Sequence, residues 1–331
     1  MTVKNAFYAQ SGGVTAVINA SAAGVIETAR QHPDQIGTVY AGRNGIIGAL
    51  TEELIDTSLE SVDDIAALRH TPSGAEYERL IEVFKAHNIG YFFYNGGGDS
   101  ADTCLKVSQL AETLGYPIQA IHVPKTVDND LPITDCCPGF GSVAKYVATS
   151  IREAGFDVAS MAATSTKVFI LEGEGQPPHI LLFPEIEFDQ AAFLARVDEC
   201  VKNHGYCVIG VSEGIKNSAG KFLSESGLTD AFGHAQLGGV APTIAKLVQE
   251  ELGYKYHWAV ADYLQRSARH IASKVDVDQA YALGQAAVKI ALEGKNSIMP
   301  AIRRLQDAPY EWDIIEAPLK DVANVEKFMP R

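Results

Sequence analysis

The chain lacks both the long apolar runs and the excess of positive charge that would indicate a membrane or nucleic-acid partner. No run approaches the roughly 20 apolar residues that a membrane-spanning helix needs, and no signal peptide is expected at its start. The 331 residues include 27 lysines and arginines against 41 aspartates and glutamates, a formal net charge of −14. We therefore expect a cytoplasmic protein that binds neither nucleic acid nor membrane. Phosphate substrates would require positive charge concentrated at one site.

Cysteines are few and do not have the spacing of metal ligands. An odd number of cysteines, five, argues against a disulfide framework. The neighbouring Cys136 and Cys137 allow a redox-active pair, but reduced thiols in a cytoplasmic protein are the favoured interpretation. No Gly-x-Gly-x-x-Gly follows the first predicted strand, which argues against a dinucleotide-binding protein. The chain also has no internal repeat and no low-complexity tract.

Strand-like and helix-like segments alternate along most of the chain. This order predicts an α/β fold with two mostly parallel sheets, each covered by helices on both faces, in a chain long enough for about two domains. The predicted strands are 5–9, 37–41, 91–94, 119–123, 167–171, 180–183 and 206–211. The predicted helices are about 14–30, 61–69, 76–88, 100–114, 189–204 and 277–293, the last ended by Gly294.

Two glycine-rich loops follow predicted strands. Gly12 and Gly13 open a helix, whose N-terminus could hold an anion, although glycine often serves only to turn the chain there. The segment Gly96–Ser100 is more informative because three consecutive glycines allow close approach of a ligand and Asp99 adds a carboxylate. If this loop binds phosphate, Asp99 implies an intervening Mg²⁺ ion. The alternative is that Asp99 and Ser100 only cap the next helix.

The segment Pro124–Leu131, Pro-Lys-Thr-Val-Asp-Asn-Asp-Leu, is the most informative part of the chain. It follows the apolar strand 119–123, and α/β enzymes place ligands at the carboxyl ends of such strands. Lys125, Asp128 and Asp130 bring one ammonium and two carboxylates together, which suits a site that handles a proton, a metal ion and a phosphate. A polar loop whose side chains only cap backbone groups is the alternative interpretation.

Taken together, these loops resemble the phosphofructokinase family. The likeness extends over most of the chain and includes Val211–Gly214, Gly233–Gly239 and Tyr263–Arg266. It implies that Asp128 is the base that activates the sugar hydroxyl, and that Asp130 lies beside the metal and phosphate. Thr126 and Glu213 match sugar-binding positions. Arg266 matches the arginine that holds the sugar 6-phosphate, and Tyr263 stands where a histidine or tyrosine is usual.

Two positions distinguish the phosphoryl donor within the family. ATP-using members usually have Gly-Gly-Asp-Gly-Ser and a glycine before the threonine of the second motif, whereas pyrophosphate-using members have aspartate and lysine there. In this sequence the two positions are Asp99 and Lys125. A carboxylate at position 99 occupies the path of the α-phosphate of ATP, and Lys125 supplies a cation to pyrophosphate.

The sequence also departs from the family pattern. Gly98 stands where ATP-dependent enzymes carry their metal-binding aspartate, so metal ligation falls to Asp99, Asp130 or water. Family segments that carry a Met-Gly-Arg sugar-phosphate motif and a phosphate-binding arginine are missing after Glu172 and after Ala75. Each missing segment removes an arginine that the family's chemistry uses.

The resemblance implies reversible, Mg²⁺-dependent phosphoryl transfer from pyrophosphate to the 1-hydroxyl of fructose 6-phosphate, in a homodimer or homotetramer. An ATP-dependent 6-phosphofructokinase and a non-catalytic regulatory subunit are the alternatives. Lys167 matches a sugar-phosphate position that in relatives reaches in from a neighbouring subunit, and His257 or Lys255 could act similarly. The expected donor-binding domain is 1–138 with 267–314. The expected sugar-phosphate-binding domain is 139–266 with 315–331.

Overall fold

A computed structural model describes residues 3–68, 80–161, 168–172, 178–223, 225–229, 235–237 and 239–329. Its strands are β1 (Lys4–Gln10), β2 (Ile36–Gly42), β3 (Leu54–Asp56), β4 (Ile89–Gly96), β5 (Gln119–Pro124), β6 (Val168–Glu172), β7 (Ile180–Leu182), β8 (Cys207–Val211), β9 (Glu225–Thr229), β10 (Ala235–Leu237), β11 (Tyr256–Val260), β12 (Ile298–Gln306) and β13 (Glu311–Pro318). Its helices are α1 (Ile18–Arg30), α2 (Ile47–Leu50), α3 (Val62–Ala67), α4 (Leu80–Ala86), α5 (Gly98–Thr113), α6 (Phe140–Met161), α7 (Gln190–His204), α8 (Ala241–Leu252), α9 (Asp262–Ser267) and α10 (Lys274–Leu292).

The chain divides into two compact units. Unit 1 comprises Met1–Ser142 and Arg266–Phe328, and unit 2 comprises Val143–Gln265 and Met329–Arg331. Within the described ranges, no helix combines the length and the apolar character needed to cross a bilayer.

Unit 1 is built on a seven-stranded sheet in the order β13-β12-β5-β4-β1-β2-β3. Its five central strands are parallel, and β3 and β13 are antiparallel strands at the two edges. Apolar residues fill both faces of this sheet: Phe7 and Phe92 belong to one buried cluster, and Tyr8 and Phe93 to the other. Burial on both faces explains why the central strands read as nearly continuous apolar runs.

Unit 2 contains a four-stranded parallel sheet in the order β11-β6-β8-β7. Helices α7 and α8 pack on this sheet through Val197, Cys200, Ile244 and Val248. Strands β9 and β10 form a separate antiparallel pair. The predicted α/β class with two mostly parallel sheets is therefore confirmed.

Several elements of the structure were not predicted from the sequence, among them α6, α8, β11, β12 and β13. The unit boundaries also differ from those expected, because residues 139–142, Arg266 and residues 315–328 belong to unit 1 and not to the second domain. Residues 315–331 were expected in the second domain, but Ile315–Pro318 belong to β13 in the sheet of unit 1. The physical reason is a hairpin: β13 pairs antiparallel with β12, for example Ile302 with Ile314, and so adds to the edge of the same sheet.

Candidate active site

The segment Pro124–Leu131 begins where β5 ends, next to the end of β4. The backbone N–H of Lys125 donates to the carbonyl oxygen of Gly96 at 3.0 Å. One residue later, the N–H of Thr126 donates to the carbonyl of Pro138 at 3.2 Å, and Thr126 pairs with Gly139 in an isolated parallel bridge. These bonds fix the backbone of the segment to the sheet on one side and to the residues preceding α6 on the other.

Lys125 is buried although it is a lysine, with 5% of its surface exposed. Its Nζ donates to the carbonyl oxygen of Gly13 at 2.6 Å. A Cβ atom on Gly12, which has φ of +71°, would lie 3.3 Å from the same Nζ. Burial, followed by the positive charge of Arg266, lowers the pKa of Lys125 to about 8, while Asp128 and Asp130 oppose this shift.

Asp128 is held by the threonine two residues earlier. Its backbone N–H donates to Thr126 Oγ1 at 3.1 Å, and Thr126 Oγ1 donates to the Asp128 carboxylate at 3.3 Å. The carboxylate is open to solvent on one side, but the surrounding protein displaces enough water to raise its pKa. Asp130 raises the pKa of Asp128 further, whereas Arg266, the Thr126 bond and Lys125 lower it. A raised pKa suits a carboxylate that accepts a proton.

Asp130 is half-buried, and its Oδ1 is a buried oxygen that has no hydrogen-bond partner within the described residues. A buried carboxylate oxygen is costly unless a donor or cation compensates it. This orphaned oxygen fits a divalent cation, because Mg²⁺ prefers oxygen ligands and commonly takes one or two carboxylates with the remaining positions filled by water and phosphate. Within the described ranges, no group of three or more acidic, histidine or cysteine side chains that could hold a metal ion is found.

Arg266 reaches the first glycine loop from α9. A Cβ atom on Gly13 would lie 2.5 Å from Arg266 Nη1, closer than real Cβ contacts. The missing side chain at position 13 is therefore what lets the guanidinium approach the loop. The structure of unit 1 thus brings Gly12, Gly13, Lys125, Asp128 and Arg266 into one polar site.

Asp99 lies in the first turn of α5 and is exposed. It follows the end of β4, the strand that lies between β1 and β5 in the sheet. The backbone of Gly96 passes so close to Ser100 that a Cβ atom there would lie 2.0 Å from Ser100 Oγ. Glycine at position 96 is therefore a packing requirement of the loop that presents Asp99, in addition to any role in binding.

The remaining predicted site residues lie in unit 2 or outside the described residues. Glu213 lies two residues after the end of β8 and is exposed, and Tyr263 at the start of α9 is 68% exposed. His257 lies in β11 and Lys255 precedes it. Lys167 lies outside the described residues, as do Thr71–Ala75, Gly173–Gln176 and part of Gly233–Gly239. Their roles stay predictions.

Asp276, near the start of α10, supports the site and was not predicted from the sequence. Its buried carboxylate accepts bonds from the backbone N–H groups of Gly139 at 3.0 Å and Ser142 at 2.9 Å, and from Ser142 Oγ. Gly139 is the residue that pairs with Thr126. Burial raises the pKa of Asp276, and the hydrogen bonds from Ser142 and Gly139 lower it. No local signal identifies this residue, since its partners are more than 130 residues away.

The α/β fold and this group of a lysine, an arginine and two carboxylates beside glycine loops fit an enzyme that handles phosphate groups, and comparison with known proteins identifies the family. The family model described as Phosphofructokinase matches residues 5–291, so the chain belongs to the phosphofructokinase family. It is 66% identical to the pyrophosphate–fructose 6-phosphate 1-phosphotransferase of Halomonas elongata, over 100% of this chain and 87% of the relative. It is 27% identical to the ATP-dependent 6-phosphofructokinase of Bacillus cytotoxicus, over 93% of this chain and 91% of that relative.

A solved structure shows the same relationship. The pyrophosphate-dependent phosphofructokinase of Nitrosospira multiformis superposes with a TM-score of 0.90 at 64% identity, covering 99% of this chain and 86% of that one. The alignment with the Halomonas relative extends over 365 positions, more than the 331 residues of this chain. Some internal positions of that relative therefore have no counterpart in this chain.

Proposed function

We propose that this chain catalyses reversible phosphoryl transfer from Mg-pyrophosphate to the 1-hydroxyl of fructose 6-phosphate, giving fructose 1,6-bisphosphate. The observation that carries the proposal is the buried ammonium of Lys125 beside the carboxylates Asp128 and Asp130. The family resemblance supports the same donor, because ATP-using members usually have glycine at the position of Lys125. The activity named for the relatives that share about two thirds of their residues with this chain supports the same donor.

The residues of the site divide the chemistry between them. Asp128 accepts the proton of the sugar hydroxyl, and burial, which raises its pKa, favours that task. The ammonium of Lys125 stabilises the negative charge on the transferred phosphoryl group and on the leaving phosphate. Gly12 and Gly13 have no side chains, which lets the cations of Lys125 and Arg266 approach the loop where an anion is proposed to bind. Mg²⁺, when bound, would neutralise charge on the pyrophosphate, with Asp130 and Asp99 as the proposed protein ligands.

The acceptor is proposed to bind through Thr126, Glu213, Tyr263 and Arg266. Arg266 provides the cation for the sugar 6-phosphate, since a guanidinium pairs with two phosphate oxygens at once. Unit 1 is proposed to bind the phosphoryl donor. A cytoplasmic homodimer or homotetramer, with Lys167 contributed by a neighbouring subunit, completes the proposal.

A donor assay tests this function directly. The full chain is incubated with fructose 6-phosphate, Mg²⁺ and either pyrophosphate or ATP, and fructose 1,6-bisphosphate is measured. We expect product with pyrophosphate and a negligible amount with ATP. Turnover with ATP alone would assign the chain to the ATP-dependent kinases. Binding of both substrates without turnover would support a non-catalytic subunit, or show that the segments missing after Ala75 and Glu172 are essential.

A further inference from the structure

The segment that carries Asp128 and Asp130 continues into a strained loop. Asn129 has φ of +56° and Ile133 has φ of +69°. The left-handed region is unfavourable for residues with a side chain, and most of all for a β-branched residue such as isoleucine. Such a conformation persists only if neighbouring contacts fix it. The position of Asp128 and Asp130 therefore depends on whatever holds residues 129–135.

One end of this loop is fixed to the sheet of unit 1. The N–H of Asp135 donates to the carbonyl of Ile302 in β12 at 2.7 Å, and the N–H of Ile302 donates to Thr134 Oγ1 at 3.0 Å. Arg304 Nε donates to both carboxylate oxygens of Asp135 at 3.1 Å, and the hydroxyl of Tyr310 donates to one of them at 3.0 Å. These hydrogen bonds hold residues 134 and 135 to β12 and its neighbours, but none of them is made by residues 128–130.

Lys327, near the end of unit 1, connects the anchored end to the catalytic end. Its ammonium donates to Asn129 Oδ1 at 3.1 Å, to the carbonyl of Thr134 at 2.8 Å and to the carbonyl of Asp135 at 3.2 Å. Its backbone N–H donates to the carbonyl of Asp130 at 2.7 Å. An ammonium has three donors, and these three acceptors account for all of them.

The Asn129 side chain completes the connection. Its Oδ1 also accepts from the backbone N–H of Cys137 at 2.9 Å, and its Nδ2 donates to the carbonyl of Asp135 at 3.2 Å. Asn129 lies between Asp128 and Asp130, so the bonds of its side chain fix the peptide units on which both carboxylates stand. Lys327 and Asn129 both donate to the carbonyl of Asp135 and are bonded to each other, so they act as one hydrogen-bonded unit.

We infer that Lys327 is a positioning residue, which holds the Asp128–Asp130 turn in its catalytic geometry through Asn129 and the backbone of Asp130. This inference deepens the proposed function and rests on it. Lys327 acts through geometry and not through its charge. The charges that shift the pKa of Asp128 are those of Asp130, Arg266 and Lys125, and the charge of Lys327 is not one of them. Removing the ammonium should therefore displace the base without changing its neighbours' charges.

The test compares Lys327→Met, which keeps most of the stem and removes the ammonium, with Lys320→Met as the matched control. Lys320 lies in the same C-terminal segment and is exposed, and no hydrogen bond of its side chain is found within the described residues. We expect Lys327→Met to lower kcat by about 10- to 100-fold, the usual consequence of displacing a catalytic group by a fraction of an ångström or more. The KM for fructose 6-phosphate should change less than about threefold, and Lys320→Met should behave as wild type.

A second measurement does not depend on activity. Hydrogen exchange followed by mass spectrometry should show faster exchange for peptides covering residues 126–137 in Lys327→Met, with β1 and β4 unchanged. Asn129→Ala should have a similar effect, and the double variant should exchange little faster than either single one, because the two residues form one unit. If exchange of this loop is unchanged in Lys327→Met, the inference is wrong whether or not the chain is an enzyme. If exchange increases while kcat stays at the wild-type value, Lys327 holds the loop without positioning the base, and the inference is equally wrong.

Discussion

The Nζ of Lys125 donates a 2.6 Å hydrogen bond to the carbonyl oxygen of Gly13, which lies 112 residues earlier in the chain. The two residues follow β5 and β1, which are separated in the sheet by β4. The bond uses one of the three donors of the ammonium and directs the group towards the loop that opens α1. A cation fixed at the carboxyl ends of these parallel strands is the arrangement expected of a pyrophosphate site.

The pKa of Lys125 predicts a pH dependence of donor use. Burial lowers this pKa to about 8, so the ammonium is present below that pH and is lost as the pH rises through it. We expect kcat/KM for pyrophosphate to fall between about pH 7 and about pH 9 in the wild type, and to fall less in Lys125→Arg, whose guanidinium stays charged. Pyrophosphate titrates identically in both experiments, so the ratio of the two profiles reports on residue 125. Parallel profiles would remove the ammonium from donor binding.

Replacing the proposed base should affect turnover far more than sugar binding. Asp128→Asn keeps the shape of the side chain but cannot accept the hydroxyl proton, and we expect kcat to fall about 10²- to 10⁴-fold. The KM for fructose 6-phosphate should change little, because the base acts in the transition state. Asp34→Asn, at an exposed loop position, is the matched control. Near-wild-type turnover by Asp128→Asn would exclude Asp128 as the base.

The identity of residue 99 should decide donor choice. Asp99→Gly removes the carboxylate from the path of the α-phosphate of ATP, so ATP turnover should rise from a negligible baseline while pyrophosphate turnover falls but persists. Adding Lys125→Gly should favour ATP further, since the cation that serves pyrophosphate is then gone. Both activities are measured with the same coupled assay. Loss of pyrophosphate turnover with no gain in ATP use would instead identify Asp99 as a metal ligand.

The close approach of Arg266 to Gly13 predicts a steric effect on sugar binding. In Gly13→Ala the new methyl group would lie 2.5 Å from Arg266 Nη1, so the flexible guanidinium must move. We expect the KM for fructose 6-phosphate to rise by about 10-fold or more, the usual cost of losing a charged hydrogen bond. Gly155→Ala is the control, because its Cβ atom would make an ordinary 3.7 Å contact with Val208. An unchanged KM in Gly13→Ala would separate Arg266 from the sugar phosphate.

The buried carboxylate of Asp276 should contribute to stability. Asp276→Ala leaves the N–H groups of Gly139 and Ser142 without their acceptor, and a buried unsatisfied donor costs about 1–3 kcal/mol. We expect a lower Tm and a lower free energy of unfolding in denaturant. Asp278→Ala is the control. It removes only the surface ion pair with Lys274, four residues earlier in α10, and should change the free energy of unfolding by less than about 1 kcal/mol. Equal stabilities of the two variants would contradict this role.

The sequence by itself determined the fold class and the candidate residues of the catalytic loop. Strands 5–9 and 91–94 are apolar because they are buried on both faces of a parallel sheet, and that burial leaves a local pattern. The segment Pro124–Leu131 was identified because a lysine and two aspartates close behind such a strand are charged side chains that a hydrophobic core would not retain. Both inferences rest on neighbours in sequence.

Only the tertiary structure decided which distant residues meet at the site. Gly13, Lys125 and Arg266 come together because β1 and β5 flank β4 and α9 ends beside them, an order that no local pattern encodes. Asp276 and Lys327 support the loop through hydrogen bonds to residues more than 130 positions away. In the sequence alone, neither residue differs from any other isolated aspartate or lysine. The hairpin of β12 and β13 likewise places residues 315–318 in unit 1 by antiparallel pairing, because strand pairing depends on long-range hydrogen bonds rather than on composition.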